Sequence, residues 1–387
     1  MRNDKNCKAL IIGAGISGIT AGRILAENGW SVTILEKRSH IGGNCYDYYE
    51  NGILIHKYGP HLFHTRLPDV AEFVCRFSEF FDYEHRVLGE IDHKLVPIPF
   101  NFKSIDSLFP ENEATALKTL LKEKYPEGNN VPIMELRRHP DKKVQDLAEF
   151  VFRKVFYGYS KKQWGKNPEE LDPSVLGRVP VRMSYDDRYF NDSFQQMPAG
   201  GYTEMLRRML SHENISIRLN CDGMEHLSLR DGRVWLDDEM FDGEVIYTGC
   251  IEALLGRELG SLPYRSLSFA IEERNVRQAQ PVVQVNYPNR FRYTRISEFA
   301  LVQQGKNVDR TALIYEYPRP CGPEDIPYYP VETTESAAMY HAYKEKLKEY
   351  RRLHLLGRLA EYKYYNMDIS IERAMSLATR LLEKTSR

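Results

Sequence analysis

The sequence predicts an α/β protein in three parts: a discontinuous Rossmann-like dinucleotide domain, a helical insertion and an antiparallel sheet. Three observations carry this. The first fifty residues read as strand, glycine turn, helix and strand; helical segments broken by Pro and Gly run on to Tyr157; short alternating segments then extend from Ile215 to about Tyr317.

The opening stretch is the most specific. Ala9-Leu10-Ile11-Ile12 is an apolar strand, Gly13-Ala14-Gly15-Ile16-Ser17-Gly18 opens a helix, and Ser31 to Leu35 forms a second strand ending at the acid Glu36. Gly13 makes the tight turn, Gly15 lets the backbone approach a pyrophosphate, and Gly18 lets the helix pack on the strand. The free amides at Ile16 and Ser17 face the phosphates, and Glu36, with Lys37 beside it, accepts hydrogen bonds from a ribose. Ile41-Gly42-Gly43-Asn44 follows closely. A second small-residue turn there suits a dinucleotide that continues past its pyrophosphate towards a buried ring, which favours FAD over NAD.

Composition sets bounds. The 387 residues carry 53 basic and 54 acidic side chains, a net charge of −1, so nothing global argues for nucleic acid or an anionic membrane. The six cysteines show no C-x-x-C or Cys/His cluster, which argues against zinc or a disulfide framework and for a reducing cytoplasm. Met1 to Asp4 lead straight into the first strand, so no signal peptide is expected, and no apolar run reaches the roughly eighteen residues of a membrane span.

Along the chain, Tyr48 to Leu54 reads as a connector. Tyr58-Gly59-Pro60-His61-Leu62-Phe63-His64-Thr65 places two histidines about a Gly-Pro turn, either filling the turn or serving a site. Apolar spacing over 69–84 predicts a helix, the prolines of 95–102 demand extended chain, and helices resume over 113–124 and 144–157. Phe156-Tyr157-Gly158-Tyr159 to Trp164-Gly165 carries more rings than one buried stripe needs, with Gly158 expected to break the helix. These rings form an aromatic mini-core or a platform for a nucleobase or sugar. Arg178 and Arg182, followed by Arg188-Tyr189-Phe190, suit a diphosphate clamp or equally a set of surface ion pairs. Gly201-Tyr202-Thr203 opens a helix with Thr203 as its cap. A hairpin turns at Asp231-Gly232, 244–249 returns to the nucleotide sheet, and helices cover 338–352 and the final stretch from Ile371.

In this order the motifs resemble the bacterial flavin-dependent UDP-galactopyranose mutases. The resemblance spans nearly the whole chain and is most specific at Lys162-Gln163-Trp164-Gly165 followed by Arg178 and Tyr189; it also takes in Tyr264-Arg265-Ser266, Tyr293-Thr294-Arg295, Pro327 to Pro330 and Gly357-Arg358-Leu359. It implies an FAD domain from 1–80, 195–245 and 330–387, a helical domain from 81–172, and a sheet domain from 173–194 and 246–329. It implies a redox-neutral pyranose-to-furanose conversion of a nucleotide-linked hexose for cell-surface polysaccharide synthesis. Reduced FAD, supplied with electrons by NAD(P)H or another external reductant, takes the anomeric carbon at flavin N5.

The roles implied are residue by residue. Arg178 and Arg295 neutralise the leaving diphosphate, helped by Tyr189, Tyr329 and Tyr364. Phe156 and Tyr159 hold the base, Trp164 packs near the sugar, and Asn366 stands near the diphosphate. His64 sits against the flavin, and Gly43, Asn44, His61, Arg265 and Arg358 serve FAD. A homodimer is implied, and no metal. Three positions depart from the family pattern: Asn366 replaces Asp, Ala360 replaces Gly, and Arg66-Leu67 stands where Asn is usual. These leave the sugar open among UDP-galactose, dTDP-fucose and UDP-N-acetylgalactosamine. An FAD amine oxidase or dehydrogenase would use the same first fifty residues but needs no diphosphate clamp, and a flavin-binding sensor would leave the arginines idle. Arg178→Ala is expected to abolish turnover and leave bound FAD intact by absorbance; retained turnover would remove that residue from the clamp.

Overall fold

The computed structural model describes residues 7–167, 180–303 and 309–385. Its first layer is a five-stranded parallel sheet in the order Ile215–Arg218, Ser31–Leu35, Lys8–Ile12, Glu244–Tyr247, Leu353–Leu355. Continuous apolar runs such as Ala9 to Ile12 suit strands covered on both faces. The helices Ile16–Glu27 and Met367–Thr385 cover one face, burying Ile19, Leu25, Ile371, Ala374 and Ala378 with Ile11 and Ile34. Residues from both ends of the chain thus build one domain.

The second sheet has seven strands, in the order Tyr329–Pro330, Tyr264–Arg274, Thr311–Pro320, Arg295–Glu298, Gln284–Asn286, Val87–Ile91, Lys94–Ile98. Its pairings are antiparallel except Gln284–Asn286 against Val87–Ile91, which run parallel. The last two strands lie in the stretch 81–172, where a helical domain was expected. Helices Phe102–Leu108, Glu111–Lys124 and Lys142–Val151 follow them around their own core of Phe100, Ile105, Leu117, Leu121 and Leu147.

Several local expectations are corrected. Tyr48 to Leu54 is a β-hairpin, Asp47–Glu50 against Ile53–His56, and its Asn51-Gly52 turn has φ of 49° and 82°, the left-handed pair that tight hairpins select. The helix expected over 69–84 ends at Cys75; Phe80 and Phe81 keep helical spacing, yet their backbone pairs with Pro198 and Met197. Gly158 does not break its helix: its backbone is helical and the chain turns on to Trp164. The glycine is there because a Cβ would come within 2.5 Å of the Pro288 carbonyl oxygen. The helix expected over 338–352 is Thr334–Leu347, begun by a reciprocal cap between Thr333 and Ser336.

Thr203 is not the cap of its helix. Asp47 is: its buried carboxylate accepts the N–H groups of Tyr202 at 2.6 Å and Thr203 at 2.8 Å, while the Thr203 hydroxyl donates to the Asp47 carbonyl at 2.8 Å. Asp47→Ala strands both amides and is expected to lower stability by about 2 kcal/mol. Chemical denaturation of purified protein measures this, and an unchanged midpoint would contradict it.

Candidate active site

Between the two sheets lies a continuous cavity of about 1390 Å³. One end is made by the glycine turns. Gly13 adopts φ 109°, and a Cβ there would meet the Thr248 hydroxyl at 2.1 Å; a Cβ on Gly18 would meet the Gly13 carbonyl oxygen at 2.2 Å. Gly15 and Gly42 form a backbone bridge, and the Gly42 N–H donates to the Ala14 carbonyl at 2.8 Å. The helix starting at Ile16 has no side-chain cap and no acid in its first turn, so its free amides and positive dipole end face the cavity. Glu36 is buried at the cavity wall, with one oxygen taking the Ala14 N–H at 2.7 Å and the other the Arg38 N–H at 2.9 Å.

Ile16, Ser17, Lys37, Gly43, Asn44, His61 and Arg358 line the same cavity. The Arg38 guanidinium spans Asn44 at 3.0 Å and the Tyr58 ring at 4.6 Å, and its buried Nη1 has no partner among the described residues. Uncapped helix amides, a buried guanidinium nitrogen without a partner and a cradle that a single Cβ would fill fit a dinucleotide pyrophosphate. His61 receives no nearby acid, and desolvation holds its pKa down at about 3, so it is a neutral donor or acceptor here.

The other end is aromatic and cationic. Trp164, Tyr329 and Tyr364 form a ring cluster, with centroids 5.9 Å, 6.2 Å and 5.3 Å apart pairwise, and Arg358 lies over Tyr364 at 5.8 Å. Phe156 and Tyr159, on consecutive turns of the helical run, line the wall with Tyr189. Arg295 enters from the seven-stranded sheet and pairs with Glu316, Nη2 to Oε2 at 2.6 Å and Nε at 2.9 Å. Desolvation works against its charge, but the Glu316 carboxylate outweighs it, and the guanidinium stays protonated. Burial raises the phenols of Tyr159 and Tyr329, so they remain neutral hydrogen-bonding groups.

Between the two ends stands His64. Its ring stacks on Phe190 with centroids 3.6 Å apart, its Nδ1 meets the Asp192 carboxylate at 2.9 Å, and Asn366 Nδ2 is 3.4 Å from Nε2. Asn366 therefore touches the histidine. Arg66 reaches the other oxygen of Asp192 at 3.1 Å, so two of the departures from the family pattern meet at one spot. The third, Ala360, is fully buried in the packing between the sheet and the Thr334–Leu347 helix.

Of the sequence-predicted site residues, one is misplaced. Arg265 does not line the cavity; its guanidinium donates to the carbonyls of Gln163 at 2.8 Å and Lys162 at 3.0 Å, capping the helix that ends at Trp164. A cation at a helix C-terminus is favourable, and that preference competes with any cofactor role. Arg178 lies outside the described residues. Sequence reading missed Asp192 and Glu316, and named Phe190 without its contact to His64. Asp192 is 128 positions from its partner, and no local pattern announces such a pairing. Glu316 carried a signal: an acid among alternating apolar residues of one strand, buried to 1 % exposure, needs a cation opposite.

Comparison with known proteins places the chain in a family. Residues 154–364 match the family model of UDP-galactopyranose mutase, and residues 11–77 that of an NAD(P)-binding Rossmann-like domain. The chain is 36% identical to UDP-galactopyranose mutase of Mycoplasma pneumoniae, covering 97% of this chain and 96% of that one. It is 35% identical to dTDP-fucopyranose mutase of Escherichia coli, covering 96% and 97%. Among solved structures, reduced UDP-galactopyranose mutase superposes with a TM-score of 0.71 at 16% identity over 97% and 96% of the two chains. Putrescine oxidase shares the fold more distantly, with a TM-score of 0.55 at 12% identity over 97% and 99%. The chain is an enzyme of the UDP-galactopyranose mutase family.

Proposed function

We propose that this enzyme converts a nucleotide-diphosphate hexopyranose into the corresponding furanose on reduced FAD, with UDP-galactopyranose and dTDP-fucopyranose as the leading substrates. The observation that carries the reading is the charged Arg295, held by Glu316 in the same cavity as the uncapped helix and glycine cradle. An oxidase acting on an amine would have no use for a guanidinium at that place.

FAD would be held by the amides at Gly15 to Gly18, by Glu36 towards a ribose, and by Gly43, Asn44, His61 and Arg358 along the cavity. Reduced FAD held there would supply a nucleophilic N5, chemistry that lets the sugar ring open and reclose as the furanose with the diphosphate returned to the anomeric carbon and no net transfer of electrons. Arg295 stabilises negative charge growing on the departing diphosphate, and the Tyr329 and Tyr364 hydroxyls add neutral donors. Phe156 and Tyr159 give a flat wall for the nucleobase, and the ring cluster about Trp164 excludes water from the sugar. His64, fixed by Asp192 and Phe190, is placed to donate or accept one proton within the cavity. NAD(P)H in the cytoplasm is the reductant on this reading, and cell-surface polysaccharide the destination of the product.

Incubating dithionite-reduced enzyme with UDP-galactopyranose, dTDP-fucopyranose and UDP-N-acetylgalactosamine should yield furanose by chromatography from at least one; an oxidised sugar, or no product from any, would refute the reading. Arg295→Ala should lower kcat/KM by about 100-fold or more with FAD content unchanged by absorbance. Activity within about threefold of wild type would exclude a role at the diphosphate. Gly15→Val should cost about tenfold or more in FAD affinity, since the side chain occupies the phosphate approach; full occupancy after purification would contradict the placement of the cofactor.

A further inference from the structure

Arg182 is buried to 3 % exposure, and all its hydrogen bonds go to uncharged oxygens. Nη1 donates to the carbonyls of Arg188 at 2.5 Å and Asp186 at 3.4 Å, Nη2 donates to the Asn191 side-chain oxygen, and Nε reaches Asn130 Oδ1 at 3.4 Å. Its nearest carboxylate, Asp186, is 3.9 Å away and already engaged by Arg188 at 2.8 Å. A buried guanidinium without a close counter-ion costs stability, so its retention asks for a purpose. Three of its four hydrogen bonds go to loop oxygens and the fourth to Asn130, so it is placed to hold that loop.

What those bonds hold is the loop 183–191, tied at Asp186, Arg188 and Asn191. The residues leaving that loop are the ones that grip His64. Phe190 stacks on its ring, Tyr189 stands edge-on to Phe190 at 5.0 Å, and Asp192 takes its Nδ1. The Tyr189 N–H also donates to the His85 carbonyl at 2.7 Å, which ties the loop to the opposite wall of the cavity.

We propose that Arg182 is the positioning residue of this site: by tying Asp186, Arg188 and Asn191 together it sets where Phe190 and Asp192 stand, and so fixes the ring plane and Nδ1 hydrogen bond of His64. The inference rests on the mutase reading for its kinetic consequence but not for its geometry. A displacement of about 1 Å in such a group costs on the order of 100-fold in rate. Arg182 lines the cavity and acts on turnover through the loop it holds.

The test is a double-mutant cycle on the FAD-loaded enzyme, combining Arg182→Met with Asp192→Asn. Each single variant should lose about 100-fold in kcat with KM changed less than about threefold, and the double variant should lose no more than the worse single. Multiplying losses, or an Arg182→Met enzyme of full activity, would overturn the proposal, since a merely structural loss adds to the Asp192 effect. If Arg182→Met does not fold, Arg182→Lys, which keeps the charge and stem, is read in the same cycle with the same two outcomes. A second readout needs no substrate: nitrogen NMR of histidine-labelled enzyme should show the His64 Nδ1 signal moving in the same direction in Arg182→Met and Asp192→Asn. An unmoved signal in Arg182→Met overturns the proposal. Wild-type enzyme inactive on every nucleotide sugar would instead count against the mutase reading and leave the NMR result to decide on Arg182.

Discussion

The cavity depends on the contact between two backbone turns, Gly13 to Gly18 and Gly42-Gly43. A Cβ on Gly43 would stand 3.1 Å from the Gly15 Cα, and Gly15 and Gly42 already bridge. Side chains here would push apart the helix, the strand beneath it and the segment that continues towards the sugar end. Because they are absent, the helix N-terminus, Glu36 and Asn44 converge on one space, and the cavity can run unbroken from a phosphate cradle to Arg295. The remaining architecture brings distant segments to the rim of that space: Arg295 from a strand of the second sheet, Phe156 and Tyr159 from the helical run, Tyr364 and Asn366 from the start of the last helix.

The sugar end is organised by buried charge. Arg295 and Glu316 sit face to face with little solvent, and Glu316 keeps one oxygen, Oε1, with no hydrogen-bond partner among the described residues. Such a pair contributes little net stability by itself, and removing one member leaves the other stranded. On the proposed function, its use is to keep a cation in an apolar, aromatic surrounding where it would meet the diphosphate at high strength. Two of the three departures from the family pattern lie beside this end. Asn366 removes a negative charge next to His64, while Arg66, 66 % exposed, adds a positive one on Asp192. The two changes act in the same electrostatic direction, and they bear on the sugar side of the cavity more than on the dinucleotide side.

Much of this was legible from residue order. The strand, glycine turn, helix and acid at the start fix the dinucleotide site because each residue has a separable steric or hydrogen-bonding reason, and the 244–247 strand is read correctly as returning to that sheet. The proline-rich stretch over 95–98 is extended, as its missing N–H groups require. What failed was settled by contacts between distant segments. Gly158 looks like a helix breaker until Pro288 is seen against it. Thr203 looks like a cap until Asp47 reaches across. Arg265 is a family-motif residue whose charge is used to hold a helix end. The grip on His64 was invisible for the same reason: Asp192 and Phe190 become its partners only when Phe194 and Gln195 pair with Thr65 and His64.

The most direct test is a crystal structure of the reduced, FAD-loaded enzyme with UDP-galactopyranose bound. The account predicts flavin along the glycine cradle and diphosphate oxygens within hydrogen-bonding distance of the Arg295 guanidinium, with the hexose between that group and His64. A diphosphate bound elsewhere, with the Arg295 and Glu316 pair facing only solvent, would contradict it.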